Sequence, residues 1–161
     1  MTVDARTLRH TAGHFVTGVT VILVEVEGEV RAMTANSFTS LSLDPPLVLF
    51  CVRCDSRMSE AIYDGAAFSV NILAEDQQDL SSYFAGTFKG SPEPAYTLLE
   101  WANARLLEGC VAAISCVVDR RYEGGDHWIV VGRVLALHNP DLTKRPLLFA
   151  RGRYSRLDPA S

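Results

Sequence analysis

The chain has 161 residues, of which 48% are hydrophobic and 21% charged, with a formal net charge of −4 and an isoelectric point near 5.5. This composition fits one globular domain with an ordinary core, and it excludes disorder, fibrous architecture and any general electrostatic pull toward nucleic acid or an anionic membrane surface. No apolar run approaches the roughly 18 residues that span a bilayer, and the N-terminal MTVDARTLRHTAGH lacks the basic-then-apolar layout of an export signal, so the expected location is the cytoplasm.

Residues 4–17 place Leu8, Thr11, Ala12 and Phe15 at helical spacing behind Asp4, a good N-cap, and predict an opening amphipathic helix. Residues 19–26 (VTVILVEV) are rich in β-branched side chains, Glu27-Gly28-Glu29 supplies a turn, and residues 30–35 return as the second arm of a hairpin. Further strands are expected at 37–41, 47–52, 67–72, 111–118 and 127–137, then at 147–149 with 154–157. Two short helices interrupt them, at 56–63 with Ser56 as N-cap and at 76–84, where Gln77, Gln78, Leu80 and Tyr83 read at helical period. Residues 85–105 mix Gly, Pro and Ser with Tyr96 and Trp101 and read as a long excursion, partly ordered against the body. Many strands joined by hairpins, with only short helices, favour a closed antiparallel barrel over an α/β sheet.

The common catalytic signatures are absent: there is no G-x-G-x-x-G, G-x-x-x-x-G-K-[ST], G-x-S-x-G or H-E-x-x-H. His10 and His14 stand four apart without a carboxylate and read as a solvated helix face. Cys51 and Cys54 form a C-x-x-C with no second pair downstream, so no metal site is expected. Cys110 and Cys116, at strand period, read as small core residues on one face with Ala112 and Ile114.

Three segments invite a functional reading, each beside a plainer one. In residues 33–40 (MTANSFTS), small and hydroxyl-bearing side chains let backbone groups approach a flat ligand, or they form an ordinary polar strand ahead of Pro45-Pro46. In residues 55–59 (DSRMS), a helix-start serine followed by Arg57 offers an anion a hydroxyl, amide protons and a guanidinium, or it is an N-cap with a surface arginine. In residues 123–127 (EGGDH), two glycines allow a tight bend that projects His127 over a cavity mouth, or Asp126 merely bonds its own turn.

Together these segments resemble the short-chain flavin reductase family, the reductase components of two-component flavin-dependent monooxygenases. The resemblance runs through residues 14–21 (HFVTGVTV), 33–40, 44–48 (DPPLV), 68–73 (FSVNIL), 77–84 (QQDLSSYF), 125–127 (GDH) and 146–149 (PLLF). The triplet Gly125-Asp126-His127 is its most characteristic element, and the passage 86–105 its least typical.

The resemblance implies a mainly β fold: a six-stranded antiparallel split β-barrel of Greek-key type, the FMN-binding split barrel, with a few short peripheral helices, assembled as a homodimer with flavin sites near the interface. It implies NAD(P)H-dependent reduction of FMN or FAD, with reduced flavin released to a partner monooxygenase. By the same resemblance Thr34, Ala35, Asn36 and Ser37 would line the isoalloxazine edge, Ser56 and Arg57 the phosphate, and Ser82, Phe84 and Phe88 the ribityl or adenine side. Cys51, Val52, Gly125 and Asp126 belong to the implied cofactor-binding set, and His127 would meet the nicotinamide nucleotide together with Arg151, Gly152 and Tyr154. Hydride transfer between two cofactors needs position and electrostatics from the protein rather than a general base. Two rivals share the barrel: a flavin- or haem-binding carrier or sensor without reductase activity, and an oxidase that holds its flavin tightly.

Overall fold

The computed structural model describes residues 2–139 and 143–158. Helix α1 (Ala5–Ala12) starts where Asp4 accepts the amide protons of Arg6 and Thr7 and the Thr7 hydroxyl, which satisfies donors that a helix start leaves unpaired. It ends before the expected residue 17 because the next residues are drawn into a strand, β1 (Thr17–Gly18), paired with the far end of the chain. The expected hairpin follows as β2 (Thr20–Val26) and β3 (Glu29–Ala35), with Glu27 and Gly28 both at positive φ, the backbone twist that two-residue hairpin turns require.

The strand expected at 37–41 forms instead as β4 (Thr39–Leu43), because Ser37 is committed to the next strand, β5 (Pro46–Arg53). The Ser37 hydroxyl accepts the Cys51 N–H at 2.9 Å. Helix α2 (Arg57–Ala61) is shorter than expected, and Ser56 caps it by accepting the Ser59 N–H. Strand β6 (Ala67–Ile72) falls where the sequence placed it, and the helix at 76–84 divides into a 3₁₀ turn (Glu75–Gln77) and α3 (Gln78–Phe84).

The excursion at 85–105 ends in a hairpin that periodicity did not reveal, β7 (Leu98–Trp101) with β8 (Ala104–Leu107). Then come β9 (Ala112–Gly124), β10 (His127–His138), β11 (Leu148–Ala150) and β12 (Arg153–Ser155). Cys110 precedes β9 and packs with Leu106 and Ala113, whereas Cys116 lies in the principal core, so the two thiols do not share one strand face. Both are buried, and the loss of hydration pushes the Cys116 thiol up to about 12.

The main sheet is antiparallel in the order β3-β2-β6-β9-β10-β5-β4, seven strands rather than six because β4 adds an edge beside β5. Three-stranded β1-β11-β12 and two-stranded β7-β8 sheets complete the fold. Phe50 on β5 and Phe68 on β6 lie three strands apart in that order, roughly 14 Å in a flat sheet, yet their ring centroids are 5.4 Å apart. The sheet is therefore curled on itself around their core cluster, which also holds Ile22, Val70, Cys116 and Val130. Gly132 on β10 makes room for this, since a Cβ there would stand 2.4 Å from the Phe68 ring. The opposite face of β2 is buried too: Val21 and Leu23 pack with Leu73, Leu80, Leu107 and Leu147.

Asn71 and Ser69 fasten the β7-β8 hairpin to this body. Asn71, fully buried, donates to Val21 O and Ser69 Oγ and accepts the Leu107 N–H at 2.9 Å, while Ser69 Oγ donates to Arg105 O.

Candidate active site

Curling leaves β3 as the terminal strand of the sheet with α2 and α3 against it, so among the described residues no strand pairs the outer edge of its backbone. At the C-terminal end of that edge lies a cleft of about 370 Å³. Its lining brings together Thr34, Ala35, Asn36, Ser37, Cys51, Val52, Phe84 and His127 of the expected site residues, and adds Met33, Arg53 and Ala85. Thr34 is held by its hydroxyl, which donates to Ser81 O at 2.6 Å and ties β3 to α3. The Phe84 ring is braced edge-on by Tyr96 at 5.0 Å.

His127 opens β10 opposite Arg53 of β5. The turn before it places Gly125 at φ 74°, and the Asp126 carbonyl accepts the Cys54 N–H, which fastens the bend across the end of β5. His127 Nδ1 lies 2.7 Å from Asp126 Oδ1. A carboxylate only accepts, so Nδ1 carries the proton and Nε2 is left for a partner at the cleft rim. The hydrogen bond from His127 holds the Asp126 carboxyl below the usual carboxylate range, and Arg53 adds to the effect. The bend thus carries a paired Asp126 and His127, and His127 lines the cleft beside Arg53.

The remaining expected residues lie elsewhere. Ser56 spends its hydroxyl on the α2 cap and on Arg53 O. Arg57 lines a neighbouring cleft of about 240 Å³ with Arg31, whose Nη1 donates to Arg57 O and whose Nε is buried without a hydrogen-bond partner among the described residues. Arg31 has no flag in the sequence except its place on β3, two residues before Met33. Ser82 Oγ donates to the Tyr154 hydroxyl, and the Phe88 ring lies over Gly90. Arg151, Gly152 and Tyr154 line a third cleft, between α1 and the β11-β12 turn, rather than the one that holds His127. Cys51 and Cys54 are free thiols, and among the described residues no group of three metal-binding side chains converges. Among the same residues no helix is long and apolar enough to cross a membrane.

The comparisons with known proteins agree with this fold. The flavin reductase like domain family matches residues 12–158, and the chain belongs to that family. It is 40% identical over 163 residues, 98% of this chain and 84% of the relative, to the reductase subunit HsaB of a flavin-dependent monooxygenase from Mycobacterium tuberculosis. It is 39% identical to the NADH-dependent FAD reductase of Streptomyces globisporus, across 97% of this chain and 87% of that one. Among solved structures, the Streptomyces globisporus NADH:FAD oxidoreductase SgcE6 with NAD and FAD fragments superposes with a TM-score of 0.85 at 38% identity, covering 100% of this chain and 99% of that chain. These neighbours share the mainly β split barrel.

Proposed function

We propose that the protein is an NAD(P)H-dependent flavin reductase of the cytoplasm that passes hydride from a nicotinamide nucleotide to FMN or FAD and supplies reduced flavin to a separate flavin-dependent monooxygenase. The observation that carries this reading is the cleft along the unpaired β3 edge with His127 fixed at its rim. Flavin and nicotinamide supply the redox chemistry; the chain supplies position. Backbone groups at Thr34 to Ser37 suit the hydrogen-bonding edge of a flat heterocycle and favour negative charge there. Phe84 packs against its face or its ribityl side, with Ser82 and Phe88 further along α3 and beyond. His127 Nε2 meets the carboxamide or phosphate of the nicotinamide nucleotide. Steady-state oxidation of NADH and NADPH, with riboflavin, FMN and FAD supplied in turn, tests the reading; turnover that ignores added flavin overturns it.

The phosphate end of the flavin belongs between Arg57 and Arg31, where the buried Arg31 Nε lacks a partner. Arg57 is exposed, so solvent screens its pairing to about 1 kcal/mol, roughly fivefold in affinity. Arg57→Ala is therefore expected to weaken FMN binding about fivefold and leave riboflavin unaffected. Equal effects on both ligands, by fluorescence titration, would place the phosphate elsewhere.

The functional unit is a homodimer. Leu41 and Leu43 on edge strand β4, with Leu135 and Leu137 on β10, leave apolar side chains in water, Leu43 at 94% exposure, and Phe15 and Val16 after α1 are similarly bare. A second copy is the commonest cover for such a surface. Sedimentation at micromolar concentration should give a dimer, and Leu43→Glu should shift it toward monomer; an active monomeric wild type would refute the assignment.

A further inference from the structure

Helix α3 ends at the flavin cleft, where Phe84 and the next residue, Ala85, belong to the lining. The helix has only seven residues, too few for propensity alone to hold it, so its anchors decide where it sits. From β3, the Thr34 hydroxyl donates to Ser81 O at 2.6 Å, and the same carbonyl accepts the Ala85 N–H at 3.0 Å. From β12, the Tyr154 hydroxyl stands 2.8 Å from Ser81 Oγ and accepts from Ser82 Oγ at 3.3 Å. Ser81 thus holds Thr34 of the cleft through its carbonyl and Tyr154 through its side chain. Tyr154 is outside that lining and borders the separate cleft between α1 and the β11-β12 turn.

Packing does not require these hydroxyls. The Tyr154 ring lies edge-on to Phe149 at 5.4 Å and packs on the second core cluster, which includes Leu80 of α3 and meets Phe84. A phenylalanine would keep those contacts. Ser81 is fully buried, and a buried hydroxyl is costly unless it is bonded, whereas an apolar pair of the same shape costs little or nothing. What the hydroxyls add is direction. Apolar contact lets a short helix roll or slide with little change in buried area, while hydrogen bonds accept only a narrow range of distance and angle. Bonds from Tyr154 at two successive positions and from Thr34 at a third group fix the roll of α3 and its shift along β3, and with them the places of Phe84 and the Thr34 side chain.

We propose that Tyr154 is a positioning residue for the flavin: its hydroxyl, acting through Ser81 and Ser82, holds α3 so that Phe84 and Thr34 stand ready for the ligand, although Tyr154 does not touch it. The proposal rests on the reductase reading and deepens it, and it differs from the nicotinamide contact that family resemblance implies for Tyr154.

The test is fluorescence titration of the full chain with FMN and with riboflavin, no nicotinamide nucleotide present, on wild type, Tyr154→Phe, and Tyr154→Phe/Ser81→Ala, each beside a melting curve. Tyr154→Phe should weaken both flavins alike by about fivefold, the effect of one net hydrogen bond, and leave the KM for NADH at saturating flavin unchanged. The double variant removes both partners, so no buried serine is left unpaired, and its melting temperature should return to within about 2 °C of wild type. Its flavin affinity should stay as weak as in Tyr154→Phe, because the direction is still missing. Flavin affinity that recovers together with the melting temperature would make the pair merely structural and overturn the proposal. Unchanged flavin affinity in Tyr154→Phe, with or without a raised KM for NADH, overturns it as well. A wild type that binds neither FMN nor riboflavin would instead overturn the reductase reading, and the positioning role with it.

Discussion

Asn71→Leu is expected to lower the melting temperature by about 9 °C. The side chain is fully buried and makes three hydrogen bonds, to Val21 O, Ser69 Oγ and Leu107 N–H. Leucine fills a similar volume but leaves the Leu107 N–H buried without a partner, and each such loss costs about 1 to 3 kcal/mol. A total near 3 kcal/mol corresponds to about 2 to 4 °C per kcal/mol in a domain of this size. The damage should concentrate in β7-β8, whose amides would exchange faster with solvent deuterium while those of β9 and β10 keep their relative protection. A change under about 2 °C would show that the hairpin is held by its apolar contacts instead.

His127→Ala is expected to raise the KM for NADH about tenfold, the loss of one hydrogen bond of about 1.4 kcal/mol, with flavin affinity nearly unchanged. Two features of the geometry separate these effects. The ring lines the cleft with its side chain 40% exposed, and Asp126 with the Cys54 N–H holds it there. Asp126→Asn should reproduce part of the effect, since an amide no longer enforces the proton on Nδ1. If His127 is only a turn residue, the melting curve shifts and the kinetics do not, so stopped-flow reduction at varied NADH beside a melting curve decides the matter.

The residues that sequence could place share local periodicity. β2, β6 and β10 stand out because Val, Ile and Phe fill them, and α2 because Ser56 is a cap wherever it falls. Thr34 to Ser37, Cys51, Val52, Phe84 and His127 converge in one cleft although they come from four parts of the chain. That convergence was legible only through family resemblance, because pairing β10 with β5 is a long-range choice. The β7-β8 hairpin was invisible for a different reason: its strands are four residues each, and polar side chains on β6 attach it. Arg31 was missed because an arginine on a strand carries no signal until its buried Nε is seen without a partner.

The pairing of Thr17 with Phe149 and Gly18 with Leu148 joins the two ends of the chain, and it orders events during synthesis. All seven strands of the main sheet have been made once His138 is in place, but Leu147, which plugs the second core cluster, comes later. Until then Val21, Leu23, Leu73 and Leu80 have one side open to the cell. Closure of the second core cluster is therefore a late event, which awaits Leu147 after every strand of the main sheet exists.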